Sequence, residues 1–151
     1  MSTTALAFAA VLPGLLVAHN VADHWVQTNH QALIKGQRGH AGRIACLAHV
    51  ASYTAVTAVV VALLWLVLDL DVSPLGFAAG QLVSAVTHYW ADRRTTLARL
   101  AALAGKTPLY VLGTPRAGRD DNPTVGTGAY ALDQSFHWLW LFVAALVTAT
   151  A

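Results

Sequence analysis

Glutamate is absent from all 151 residues, and charged residues of every kind make up only 11% of the chain. Any metal-binding carboxylate is therefore one of seven aspartates and any general base an aspartate or a histidine, and so low a charge density falls outside the range of soluble globular domains. Cysteine occurs once, at Cys46, which excludes an intramolecular disulfide and a cysteine-based zinc knuckle. A small buried side chain is its expected role. There is no Gly-x-x-x-x-Gly-Lys loop for nucleotide phosphates and no Gly-x-Ser-x-Gly nucleophile elbow. The Met-Ser-Thr-Thr start has no basic residue ahead of the first apolar run, which argues against a cleaved signal peptide. A net charge of +2 would suit nucleic acid, but the nine basic residues sit in two connecting segments and not along a soluble face. No nucleic-acid partner is expected.

What the chain has is hydrophobicity: 56% of its residues are apolar and its mean hydropathy is +0.54. Four apolar runs, about residues 5–27, 43–68, 74–92 and 130–150, are each about long enough to cross a bilayer. They predict an all-α protein, one domain over 1–151, built as a bundle of four transmembrane helices. Pro13-Gly14 inside the first run predicts a kink or a close helix crossing. Asp69, Asp71, Ser73 and Pro74 make a turn so short that the second and third spans must be antiparallel neighbours. After the third span, an amphipathic extension from Arg93 to Leu100 should lie along the headgroups and stop near Gly105. Residues 106–128 are the longest irregular segment, and 93–129 together form a loop or lid before the fourth span. Lysine and arginine fall only in the segments after spans one and three, so both termini should lie outside a bacterial inner membrane.

The spans carry groups that hydrocarbon tolerates poorly, in a recurring pattern. His19, Asp23 and Gln27 are spaced i, i+4, i+8 and share one helix face. His88 and Asp92 repeat the pair, and Asp133 and His137 reverse it. His49 stands on a stripe with Cys46, Tyr53 and Thr57, while Gln81 and Ser84 join His88 and Asp92 on one face of the third span. All seven histidines and aspartates of this set (His19, Asp23, His49, His88, Asp92, Asp133 and His137) fall at the predicted cytoplasmic ends of their helices. Trp25, Trp90, Trp138 and Trp140 lie at the same level, as in an aromatic belt.

An ionisable side chain within a membrane helix costs about 2.5–3.5 kcal/mol on insertion scales, so seven of them must be paired or bound. The imidazole and carboxylate mixture without thiolate points to a divalent metal, Zn, Mn, Fe, Co or Ni. Seven candidates exceed one closed tetrahedron, which leaves room for one or two ions. The competing readings are interhelical hydrogen bonds, worth about 0.6–2 kcal/mol per pair, and a proton or ion pathway. A haem held by paired histidines fits less well, because an aspartate sits one turn from three of the four.

The leading mechanism is metal-assisted hydrolysis of an anionic substrate, a lipid headgroup or other phosphoester, at the cytoplasmic face. Asp23 or Asp133 would serve as base and Tyr53 as proton donor. Gln27 and Gln134 would orient water or substrate, and Arg93, Arg94, Arg116 and Arg119 would receive the anion at the site mouth. His24, His30 and His40 should be solvated. Thr124 to Gly128 is a glycine-rich entry to the last helix. The alternatives are a metal-ion or proton transporter, and a non-catalytic structural or regulatory subunit with a polar core. The bilayer is the expected partner, and a homo-oligomer is compatible with the sequence.

On these motifs (His19, Asp23 and Gln27; His49; His88 and Asp92; Asp133, Gln134 and His137) the chain resembles a family of small uncharacterised bacterial and phage membrane proteins, known as a domain of unknown function. The resemblance covers nearly the whole chain and implies the same four-helix membrane architecture. The chain is also distantly similar to membrane-bound metal-dependent hydrolases, which place His and Asp at corresponding helix ends; that likeness is an analogy. The segment 106–128 is longer than expected for the simplest members.

Overall fold

The computed structural model describes residues 2–116, 118 and 126–151, and among these every regular element is a helix. Helix α1 spans Thr3–Val21 and is capped by the Ser2 hydroxyl, which accepts from the Ala5 amide at 3.2 Å. Its last turn widens into a π-helical turn, Ala22–Val26, closed by the Gln27 amide donating to the Ala22 carbonyl at 2.9 Å. A short helix α2, Asn29–Ile34, starts from a capping box in which Thr28 and Gln31 satisfy each other's backbone amides. Helix α3 runs over His40–Val67, and α4 over Pro74–Asp92 with Ser73 as its N-cap. Helices α5, Thr95–Leu103, and α6, Thr107–Tyr110, lead to α7, Gly128–Thr150, capped by Thr127. The stretches Thr3–Val26 and His40–Val67 are long and apolar enough to cross a membrane.

The long helices close a ring: α1 packs on α3 and α7, α4 packs on α7, and α3 on α4. One end of that ring is filled by an apolar cluster of Val11, Leu15, Val61, Leu141, Ala144 and Ala145, extended by Ala7, Val72 and Ala149. Small residues bring the helices close. Gly76 and Gly80 of α4, four apart and so on one face, lie directly against Thr148 and the backbone of α7, and Gly14 lies under Leu64 of α3. Pro13-Gly14 thus marks a close crossing, with α1 continuous through it. The outward faces are apolar too: Val17, Leu63, Leu66, Leu75, Leu82, Val86 and Leu139 are all exposed.

Beyond α4 the chain departs from the expected continuous extension. The helix stops at Asp92 because Arg94 takes a left-handed conformation (φ 54°), and α5 begins as a separate helix. Its amphipathic character survives, with Leu97 and Ala101 buried and Leu103 exposed. Gly105, at φ 68°, ends it in a Schellman motif: the Lys106 amide donates to the Ala101 carbonyl at 2.7 Å and the Gly105 amide to Ala102 at 3.1 Å. Residues 106–128 contain α6, and the Gly128 amide donates to the Leu112 carbonyl at 2.8 Å, which ties the turn after α6 to the start of α7.

The Gly80 contact generates a stability prediction. Gly80→Leu should push α4 from α7 and lower stability by about 1–3 kcal/mol through overpacking, whereas Leu82→Ala on the exposed face should change it little. Thermal unfolding of the purified protein in detergent measures both.

Candidate metal centre

Helices α3 and α4 face each other through a ladder of buried polar pairs. The Thr57 hydroxyl donates to Gln81 Oε1 at 2.8 Å, the Tyr53 and Ser84 hydroxyls bond at 2.7 Å, and His49 Nε2 meets His88 Nε2 at 3.0 Å. Because the helices are antiparallel, steps of four back along α3 meet steps of three and four forward along α4. The two polar stripes expected from helical periodicity are therefore buried against one another. The deeper rungs are ordinary interhelical hydrogen bonds. At the last rung two aspartates join.

Asp23 Oδ1 lies 3.3 Å from His49 Nε2 and 3.4 Å from His88 Nε2; Asp92 Oδ2 lies 3.1 and 3.2 Å from the same two nitrogens. Each carboxylate oxygen closes a nearly equilateral triangle with the nitrogen pair. Donors held at about 2.0–2.1 Å in a tetrahedron are separated by about 3.3 Å, so each triangle has the size of one face of a metal coordination shell. The bond between the two nitrogens uses one proton, and Asp23 Oδ1, though close to both, has no aligned hydrogen-bond partner among the described residues. Asp92 Oδ2 also accepts from Lys35 Nζ at 2.9 Å.

The π-helical turn sets how α1 contributes. His19 and Asp23 remain one turn apart, with His19 Nδ1 3.6 Å from Asp23 Oδ2, but the helix widens at Ala22 and the chain leaves it at Gln27 (ψ 129°). Gln27 is thus not on a continuing helical face, as an i, i+8 spacing implies. It lines the cavity beside the site, its amide nitrogen buried and without a hydrogen-bond partner among the described residues. π-Turns recur at functional sites because one extra residue re-aims side chains without ending the helix. From α7, His137 Nε2 approaches Asp133 Oδ1 at 3.7 Å, and its ring lies 4.9 Å from that of His19 and 4.3 Å from that of His88.

All seven histidines and aspartates singled out in the sequence come together. They form three overlapping groups, His19/His88/His137, Asp23/His49/His88 and Asp92/Asp133/His137, whose ligand atoms lie within 4.8 Å of one another in each. A cavity of about 470 Å³ opens beside them, with Asp23, Asp92, Asp133, Lys35, Arg94 and Gln134 among its lining residues. Gln134 also approaches Asp133 Oδ2 at 3.5 Å.

The other expected site residues lie around this cluster. The Tyr53 and Ser84 hydroxyls bond each other at 2.7 Å, and the Tyr53 ring stacks flat on His88, centroids 3.8 Å apart at 16°, so it forms a wall beside that imidazole. Arg93 does not line the cavity. Its guanidinium donates to the Lys35 and Gln37 carbonyls at 2.5 Å each, clamping the α2–α3 connection. Arg94 does line it, while donating to the Ala32 carbonyl at 3.1 Å. Arg116 is exposed and away from the cavity lining, and Arg119, with Thr124 and Val125 of the glycine-rich entry, lies outside the described residues. His24, His30 and His40 are exposed, His24 at the cavity edge. Lys35 is the site residue that sequence reasoning missed. It reads as one positive charge among several in a loop, yet it is buried; the Thr28-x-x-Gln31 capping box ahead of it was the available signal.

A family model described as "Protein of unknown function (DUF3307)" matches residues 11–151. No curated protein and no solved structure matches the chain.

The wall role of Tyr53 has measurable consequences. Tyr53→Phe should lower stability by about 0.5–1.5 kcal/mol, the value of one buried hydrogen bond, and leave metal content unchanged. Tyr53→Ala should loosen His88 and reduce metal content. Elemental analysis and thermal unfolding of both variants test that role.

Proposed function

We propose that this chain, which belongs to the DUF3307 family, is a four-span membrane protein that binds a divalent metal ion through Asp23, His49, His88 and Asp92 and hydrolyses an anionic ester at the membrane surface. The membrane reading is supported by the two helices long enough to span and by the exposed apolar faces of α4 and α7. Small-residue contacts between these two helices are the packing mode expected where lipid removes the hydrophobic drive between helices. Lys35, Arg38, Arg43, Arg93 and Arg94 flank the cavity end, and Asp69 and Asp71 the other, which favours a cytoplasmic cavity in a bacterial inner membrane. Exposed Trp25 and Trp138 fit an interfacial belt at the cavity end.

The observation that carries the reading is the convergence of two imidazole nitrogens and two carboxylate oxygens beside an open cavity. Two neutral nitrogens and two charged oxygens suit Zn, Mn, Fe, Co or Ni. Such an ion supplies a water made acidic enough to attack near neutral pH. Hydrolysis needs a coordination position open to that water. Lys35 also donates to Asp92 Oδ2, so an ion would share that oxygen with the ammonium, and the water would take a further position on the cavity side. Asp133 lines the cavity and takes the water's proton as the water oxygen bonds to the phosphorus or acyl carbon. The ester bond breaks, and the proton passes to the departing alcohol. Lys35 and Arg94 face the anionic oxygens.

A conduit for protons or ions needs polar groups along the whole bundle. Beyond Thr57 and Gln81 the ring is filled instead by Val11, Leu15, Val61 and Leu141, which favours a one-sided site over a pathway.

Protein purified in detergent without chelator should carry bound metal, and His88→Ala and Asp92→Ala should lose most of it. Hydrolysis of a phosphomonoester or phospholipid should fall at least about 100-fold in Asp133→Asn, the scale of a lost general base. Metal-free wild-type protein that remains folded would sink the reading.

A further inference from the structure

Four helices contribute histidines, and the single-ion site uses only two of them. His19 is fully buried, and both its ring nitrogens lack a hydrogen-bond partner among the described residues; His137 is 3% exposed, and its Nε2 is also unpartnered. A buried polar atom left unpaired costs about 1–3 kcal/mol, and His19 and His137, together with His88, each present one ligand atom within 4.8 Å of the others.

The carboxylates reach this point as well. Asp23 points Oδ1 toward His49 and His88, at 3.3 and 3.4 Å, and Oδ2 toward His19 Nδ1, at 3.6 Å. Asp92 points Oδ2 toward His49 and His88, at 3.1 and 3.2 Å, and belongs to the group that includes His137. Asp23 thus turns its two oxygens to different imidazoles, and Asp92 is shared between the His49/His88 pair and the group of His137. Carboxylates so placed are suited to bridge the ions of a dinuclear centre in which each ion has its own nitrogen ligands.

We infer that the bundle holds a second divalent ion, bound by His19 and His137 and bridged to the first through Asp23 and Asp92. The inference rests on the single-ion reading for its first half. It explains why the π-helical turn is needed: Asp23 must offer one oxygen to α3 and α4 while His19, a turn earlier on the same helix, faces α7. It also gives the cavity a surplus of positive charge. Asp23, Asp92 and Asp133 are outweighed by two dications and Lys35, and an anionic ester whose oxygens bind both ions restores the balance. Paired ions at about 3.5–4 Å stabilise attacking and leaving oxygens together in an in-line displacement, a geometry that suits phosphoesters.

The test is metal stoichiometry in detergent-purified protein, together with electron paramagnetic resonance after loading with Mn(II). Wild-type protein should bind two ions per chain and show an exchange-coupled Mn(II) pair. His19→Ala and His137→Ala should each bind one ion and show an isolated Mn(II) signal, while His49→Ala loses the other ion. One ion per chain in the wild type, with an uncoupled signal and no change in either variant, overturns the second site and leaves the single-ion reading standing. No ion in folded wild-type protein overturns both. The wild-type spectrum decides without any variant, so a variant that fails to fold does not blunt the test.

Discussion

Two carboxylate oxygens held within 3.1–3.4 Å of two imidazole nitrogens, inside an apolar bundle, set the terms for the rest of this structure. Charges so placed are costly unless something compensates for them, and the surrounding features read as compensation. Lys35 is buried against Asp92. The capping box at Thr28 and Gln31 folds α2 back so that Lys35 can reach, and Arg93 pins the following carbonyls. The π-helical turn lets α1 bring in both His19 and Asp23. Each device belongs to a different segment, yet all act on the same few atoms.

The bundle is graded along its axis. At the end near the α3–α4 turn, Val11, Leu15, Val61 and Leu141 fill the ring as any apolar core does. Next come neutral hydroxyl and amide pairs, Thr57 with Gln81 and Tyr53 with Ser84, which tie α3 to α4. The clustered histidines and aspartates lie at the last level, and the cavity opens there. Polarity thus rises toward the open end, while Gly76 and Gly80 let α7 approach α4 closely enough to deliver Asp133 and His137. The substrate and ions proposed here would enter and leave on one side.

Much of this was legible in advance because helical periodicity is a strong constraint. Spacings of three and four place side chains on one face whatever the tertiary context, so the stripe of Cys46, His49, Tyr53 and Thr57 and that of Gln81, Ser84, His88 and Asp92 had to be buried together. The arginines resisted the same reasoning. Arg93 and Arg94 are neighbours of equal charge, yet one clamps a loop backbone and the other lines the cavity. Their long side chains go where unsatisfied carbonyls are, and a sequence does not say where those lie. The partner of the Tyr53 hydroxyl was hidden for a related reason, since it is Ser84 on a neighbouring helix.

The amino-acid sequence alone determined that the long helices form, that each buries a polar stripe, and that the histidines and aspartates gather at one end; backbone geometry and apolar run length suffice for all three. The tertiary structure decided the widened turn at Ala22–Val26, the recruitment of Lys35 and the choice of which carboxylate oxygen faces which nitrogen. Those outcomes depend on loop closure and on the relative height of packed helices. Both are set by contacts between residues far apart in the chain, which no local pattern encodes.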